Sequence, residues 1–285
     1  MSTPHQYSFD LSVKSDVSDE LINVYVMRPA AGVLVRAVYH TPITPNQITL
    51  AATIAGLGAA ALYVYDSAWT TAAAGVCIVL KDFLDSADGQ LARAKGTNSR
   101  SGRFLDSIGD FLVNLSVLIA VGYVLTTRSG NILYAVLALL GFLGLTLRVS
   151  YHVYYQTAFL HTQELYATNR ITEEVRKEDL QTDRGTVMLQ HIFQALYGWQ
   201  DRLMVRIDGW CRRRSSNELD ESLWFADRVG LRLSGFLGLG TELLLLTLCS
   251  VTNHLSLYLY CNIIFMNGIG LINIWYRWRI LADQV

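Results

Sequence analysis

Charge is scarce in this sequence. Lys, Arg, Asp and Glu make up 16% of the 285 residues, against about 25% in a soluble domain. With 52% hydrophobic residues beside it, that scarcity argues against an ordinary soluble protein. Cysteine is also scarce. Cys77, Cys211, Cys249 and Cys261 form no CxxC pair, so neither a structural zinc nor a disulfide is expected. No basic stripe runs along the chain and the net charge is -1, so no nucleic-acid partner is expected. The first 40 residues lack a compact apolar run followed by a small-residue cleavage site. The first apolar helix is therefore expected to stay as an anchor. There is no internal repeat and no low-complexity tract.

What is present comes in long apolar blocks. Their lengths predict an all-α integral membrane protein with six spanning helices, near 47–65, 68–94, 103–126, 131–153, 231–251 and 255–276. The turns near 66–68 and 252–254 hold no Lys or Arg, and 127–130 holds only Arg128. The remaining basic residues fall on the other side or approach it. Both termini and the acidic stretch of helices two and three are thus expected to be cytoplasmic.

Residues 1–46 read as a unit before the bundle, which occupies 47–285. The first 17 are polar and loose. Residues 18–40 mix apolar positions with Arg28 and Arg36, which suits an interfacial amphipathic helix. In TPITPNQIT (41–49) two prolines break the chain, and Thr44 or Asn46 can cap the first span. Between helices four and five lies a long cytoplasmic insertion, 154–230. Residues 156–228 hold 10 basic and 12 acidic residues. Leu189, Ile192, Phe193, Leu196, Leu203, Ile207 and Trp210 recur there at helical spacing. This predicts an amphipathic helix of about five turns, docked on the bundle or covering its cytoplasmic mouth.

The most informative stretch is Lys81 to Asp110, KDFLDSADGQLARAKGTNSRSGRFLDSIGD. It sets Asp85, Asp88, Asp106 and Asp110 between two apolar flanks. One carboxylate at the centre of a membrane helix costs about 2.5–3.5 kcal/mol, and four unpaired would cost roughly 10 kcal/mol. Such a group needs a counter-charge, and a divalent metal is the simplest. Asp85 and Asp88 are three apart, and Asp106 and Asp110 four apart, so each pair shares a helix face. The turn GTNSRS (96–101) would join the two helices as an antiparallel pair. All-oxygen ligation suits Mg²⁺ or Mn²⁺ and substrate phosphates, and four carboxylates can hold two ions. Gly89 allows a close approach, Arg93 one turn beyond can pair with a phosphate, and Gly102 lets helix three start close to helix two.

At these residues the sequence resembles the CDP-alcohol phosphotransferase family, whose pattern is D-x2-D-G-x2-A-R-x8-G-x3-D-x3-D. Here it reads Asp85, Asp88-Gly89, Ala92-Arg93, Gly102, Asp106 and Asp110, with every spacing kept. The resemblance covers about residues 25–150. It implies a six-helix bundle, a homodimer, and a polar cavity open to the cytoplasm of a prokaryotic plasma (inner) membrane. It implies displacement of CMP from a CDP-linked donor by an alcohol, in phospholipid biosynthesis. Carried onto this chain, Asp85, Asp88 and Asp106 would hold metal. Asp110 would be the general base and could touch a second ion. Gly89 and Arg93 would lie against the CDP moiety, with Asn46 and Thr49 as further donor-site candidates. The cofactor is Mg²⁺ or Mn²⁺, two ions.

The donor expected by family frequency is CDP-diacylglycerol, with a small polar acceptor. The alternative within the class is a soluble CDP-alcohol with a lipid acceptor such as diacylglycerol. The alternative of another class is a non-catalytic divalent-cation transporter, which has no need of Arg93. LDSIGDF lacks the LDPxADK form of phosphatidylglycerophosphate synthases, and Phe111 replaces the DR of inositol-type enzymes. The acceptor is thus not fixed by the motif.

Other polar residues carry weaker signals. Lys81 can pair locally with Asp85 or meet substrate. Glu242 is an acid inside a span. Arg148 and His152 would meet substrate phosphate or lipid headgroups. Asn262, Asn267 and Asn273 are expected to serve helix packing. Trp275, Tyr276 and Trp278 read as an interfacial aromatic belt.

Overall fold

The structure is a computed structural model that describes residues 9, 20, 22–163, 173, 175, 183–214 and 221–283. All regular structure among them is helical. A π-helical turn, Asn23–Met27, leads into α1 (Arg28–Val38). There follow α2 (Pro45–Val64), α3 (Ala68–Ala94), α4 (Arg100–Ser129) and α5 (Leu133–Thr162). The insertion supplies α6 (Arg184–Arg212), α7 (Glu221–Phe225) and the start of α8 (Arg228–Gly235). Then come α9 (Leu239–Val251), α10 (Leu255–Tyr260), a π-helical stretch Cys261–Met266, and α11 (Asn267–Arg279).

Local chemistry sets the helix starts. Thr44 and Gln47 form a reciprocal capping box at α2, and Ser67 and Thr70 do the same at α3. Each satisfies two backbone N–H groups that a helix start leaves without partners. Ser99 caps α4 through the Gly102 N–H, 3.0 Å away. Gly96, at φ +63°, turns the chain between α3 and α4 in a conformation open to glycine.

Five helical stretches are long and apolar enough to cross a membrane: Pro45–Val64, Arg100–Ser129, Leu133–Thr162, Glu221–Val251 and Leu255–Asp283. This is the make-up of a multi-pass integral membrane protein. The expected count was six. α3 has 27 residues, but every 18-residue window of it contains Lys81, Asp82 and Asp85. Leu50, Leu139, Ile264 and Leu271 stand exposed on these helices, as lipid-facing residues do.

Packing depends on close backbone approach, since lipid tails remove most of the hydrophobic drive between spans. A Cβ on Gly56 would stand 2.5 Å from Val113 of α4. One on Gly109 would stand 2.6 Å from the Thr53 hydroxyl of α2. α2 therefore lies tight on α4, and α3 also packs chiefly on α2. The two acidic helices lean on a shared neighbour rather than closing on each other, and their carboxylates face one space. α9 packs on the far side of α3, with Tyr63 and Ser250 hydroxyls 2.6 Å apart in the core.

Several boundaries differ from expectation. The fourth apolar helix runs to Thr162 rather than 153. The amphipathic helix has 29 residues, about eight turns rather than five. The fifth span is broken at 236–238. The polar tail expected over 1–17 lies outside the described residues except Phe9, which sits against Gly32. Most of 164–182 also lies outside them. α1 packs through Ala31 and Val35 on Ala87 and Leu91 of α3. Among the described residues no disulfide forms, and all four cysteines are free.

Candidate active site

The acidic residues gather where the C-terminal half of α3 faces the N-terminal half of α4. Ligand oxygens of Asp85, Asp88 and Asp106 all lie within 4.8 Å of one another. Opposite oxygens around Mg²⁺ stand about 4.2 Å apart, so a small carboxylate rotation closes this group on an ion. Three hard oxygen donors suit Mg²⁺ or Mn²⁺ better than a soft metal. Asp88 is itself buried, and the Thr49 hydroxyl donates a hydrogen bond to its Oδ2. The first turns of α2 thus fix one member of the group.

Asp110 stands apart from these three. It accepts a hydrogen bond from Lys81 across the two helices. The same ammonium lies 3.6 Å from Asp85 Oδ1. The local pair expected from sequence is present, but the shorter bond goes to Asp110. Asp82, the next residue, is buried, and its Oδ2 has no hydrogen-bond partner among the described residues.

The glycines shape the margin of the site. A Cβ on Gly89 would stand 3.3 Å from Arg93 Nη1, so the guanidinium lies back over that bare stretch of helix. A Cβ on Gly102 would stand 3.2 Å from Asn46 Oδ1. Asn46 and Thr49, on one face of α2, thus border both acidic helices. Lys95 Nζ donates to the Thr41 and Ile43 carbonyls at 2.9 and 2.8 Å. That ties the end of α3 to the segment before α2.

The sequence left the insertion helix either docked on the bundle or over its cytoplasmic mouth, and the structure docks α6 on α4 beside the acidic residues. Phe193 stacks near Phe104, with ring centres 5.1 Å apart, and Tyr197 lies 6.0 Å from Phe111. The Tyr197 hydroxyl donates to the Ser107 carbonyl at 2.8 Å. Burial, and then the charges of Asp110 and Asp106, push that phenol well above its ordinary pKa. It therefore stays a donor. Nearby, Glu173 accepts from Arg100 Nη2 at 2.6 Å and also pairs with Arg103. Burial would raise the Glu173 pKa, but Arg103 and Arg100 together hold it below the ordinary range. Burial, and then the Glu173 charge, raise Asp201 to about 6. The signal available for this contact was a match of aromatic steps, Phe104 and Phe111 on one helix with Phe193 and Tyr197 on the other.

The second polar group of the bundle corrects one expectation. Arg148 does not reach outward for phosphate. It is buried and bonds Glu242 Oε2 at 2.8 Å, the Asn262 carbonyl at 3.1 Å, and the Asn267 side chain. Asn262 donates to the other Glu242 oxygen. His152 Nδ1 lies 3.1 Å from the Ser234 hydroxyl. Glu242 is thus an interhelical partner, and Asn262 and Asn267 serve packing as expected. Asn273 is buried, and neither amide atom has a hydrogen-bond partner among the described residues. The aromatic belt also needs correction. Trp275 is exposed, but Trp278 stacks on Trp210 with centres 5.4 Å apart, and Tyr276 bonds Asp227 at 3.3 Å.

Comparison with known proteins gives two kinds of match. Residues 42–167 match the family model described as CDP-alcohol phosphatidyltransferase. The archaetidylinositol phosphate synthase of Pyrococcus horikoshii is 38% identical over 79 residues, 28% of this chain and 40% of that protein. The bifunctional IPC transferase and DIPP synthase of Thermococcus kodakarensis is 36% identical over 103 residues, 35% of this chain and 22% of that protein. The chain thus spans well under half of either relative's length.

Proposed function

We propose, from the premise that residues 42–167 carry a CDP-alcohol phosphatidyltransferase domain, that this protein transfers a substituted phosphate from a CDP-linked donor to an alcohol. The donor is CDP-diacylglycerol or a lipid analogue of it, and the acceptor a small polar alcohol. The observation that carries the reading is the split of the acidic motif. Three carboxylates converge as a metal would need, and a fourth is held apart on a lysine.

Each residue then has a physical task. Asp85, Asp88 and Asp106 would hold a divalent ion, which when bound offsets charge on the donor's diphosphate. Thr49 orients Asp88. Arg93, lying over Gly89, offers its guanidinium to a donor phosphate. Asn46 lines the same margin. Asp110 takes the proton of the acceptor hydroxyl. The acceptor oxygen bonds to the phosphorus that bears the lipid, the bond from that phosphorus to the CMP oxygen breaks, and CMP leaves. No enzyme nucleophile is needed. Tyr197 and its aromatic neighbours on α6 shield the Asp110 side of α4 from water.

The reading includes α3 as a sixth span, a cytoplasmic site and termini, a long cytoplasmic insertion, and a homodimer in a prokaryotic plasma membrane. The family likeness supports the sixth span, the cytoplasmic site and the homodimer, and the insertion is longer than the family's usual loop. The name of the Pyrococcus relative, with its inositol phosphate, favours a polar acceptor over diacylglycerol. The test supplies purified protein with radiolabelled CDP-diacylglycerol, Mg²⁺ and a panel of alcohols. A new labelled phospholipid with one acceptor is expected. Label transferred only from a soluble CDP-alcohol into diacylglycerol would reverse the assignment of donor and acceptor.

A further inference from the structure

Lys81 is an unusual neighbour for a metal site. It lies one turn before Asp85 on α3, almost wholly buried, and its ammonium meets two of the four motif carboxylates. A buried ammonium needs such partners, because an unpaired charge away from water is costly. The bond to Asp110 crosses between helices that are 29 residues apart in sequence at these positions. It therefore fixes Asp110 relative to α3 as well as α4.

Charge accounting gives this contact a consequence. Four adjacent carboxylates repel one another unless cations are placed among them. An ion on Asp85, Asp88 and Asp106 serves three of them. The fourth already has a cation, supplied by the chain. A second divalent ion bridging Asp110 and Asp85 would have to enter where the ammonium bonds one and lies 3.6 Å from the other. Like charge would oppose like charge there.

We propose that the Lys81 ammonium takes the place of a second divalent ion in the donor-free site, which then holds one ion per chain. This rests on the metal reading given above and replaces the count of two expected from sequence. Lys81 is then a positioning residue. It holds Asp110 out of the metal group and keeps its carboxylate in place to accept a proton. A second ion would enter only in company with the negative charge of a donor diphosphate.

The test counts Mn²⁺ bound to the purified full-length protein without nucleotide, by the loss of the free-ion paramagnetic resonance signal. One ion per chain is expected for the native sequence and for Lys81→Arg, which keeps the charge. Two are expected for Lys81→Met. Lys81→Gln, which keeps a donor to Asp110 without the charge, makes the same test if Lys81→Met does not fold. Two ions in the native protein would overturn the proposal, as would one ion in a folded Lys81→Met or Lys81→Gln. No ion in the native protein would instead overturn the metal reading itself, a result distinct from a count of two.

Discussion

The bundle contains two polar groups that differ in charge balance. Around Arg148, one guanidinium meets one carboxylate, Glu242, with Asn262 and Asn267 filling further bonds. Around Asp106, four carboxylates meet one ammonium among the described residues. The charges of the first group cancel. The second calls for a cation from outside. Small residues serve each group accordingly. Cβ atoms on Gly141 and Gly144 would stand 2.9 and 2.8 Å from Asn262 and Asn267, so those glycines admit neighbours of the same chain. Gly89 likewise lets the Arg93 guanidinium lie back over α3, at the margin of the site. A polar cluster whose charges cancel holds helices together, and one whose charges do not cancel is a candidate cation site.

The largest effect separating the two groups is expected at Asp110. Asp110→Asn removes the proton acceptor and should lower turnover by about 10²–10⁴-fold, while binding of a CDP nucleotide stays near native. Turnover within a few-fold of native would remove Asp110 from that role. Arg148→Met should do the converse. Leaving Glu242 buried without its partner costs about 3–5 kcal/mol, read as a lower unfolding temperature in detergent. Mn²⁺ binding by the surviving folded fraction should be native. The double change Arg148→Met with Glu242→Leu should recover much of the loss, since apolar replacements of buried pairs are often near neutral. A double variant as weak as the single one would mean that the pair does more than balance itself.

The smallest effect lies at the cover. Asp201 has its pKa raised to about 6, by burial and then by the Glu173 charge. Its ionised form is thus disfavoured in the fold. Stability from this group is greatest below the ordinary aspartate pKa of about 3.9 and falls as pH rises through about 6. Asp201→Asn should therefore stabilise at pH 7, by roughly 1 kcal/mol or about 2–4 °C, and change little near pH 4. Equal effects at both pH values would show that the charge is not the cause.

How much of this was legible in the sequence follows from which interactions are local. Apolar runs marked five spans, and Thr44, one of the two caps the sequence offered beside Asn46, starts α2, because a cap depends on a few consecutive residues. The motif spacing put Asp85, Asp88 and Asp106 within reach of one another. The bond from Lys81 to Asp110 was not legible, because it depends on how α3 and α4 each lean on α2. Nor was the partner of Arg148, which lies 94 residues away. A lone charge in an apolar run does not state its address. Tyr276 and Trp278 were misread for a similar reason. An aromatic at a helix end has the same sequence signature facing lipid as facing another helix.

The role proposed for the unbalanced cluster is to take a divalent ion and so transfer phosphate. CMP release from a CDP-linked donor by the purified protein, with Mg²⁺ and then with chelator, decides it. CMP is expected in the first case and none in the second. CMP released equally with chelator would contradict the metal. No CMP from any CDP donor, alongside Mn²⁺ flux into vesicles holding the protein, would contradict the transfer.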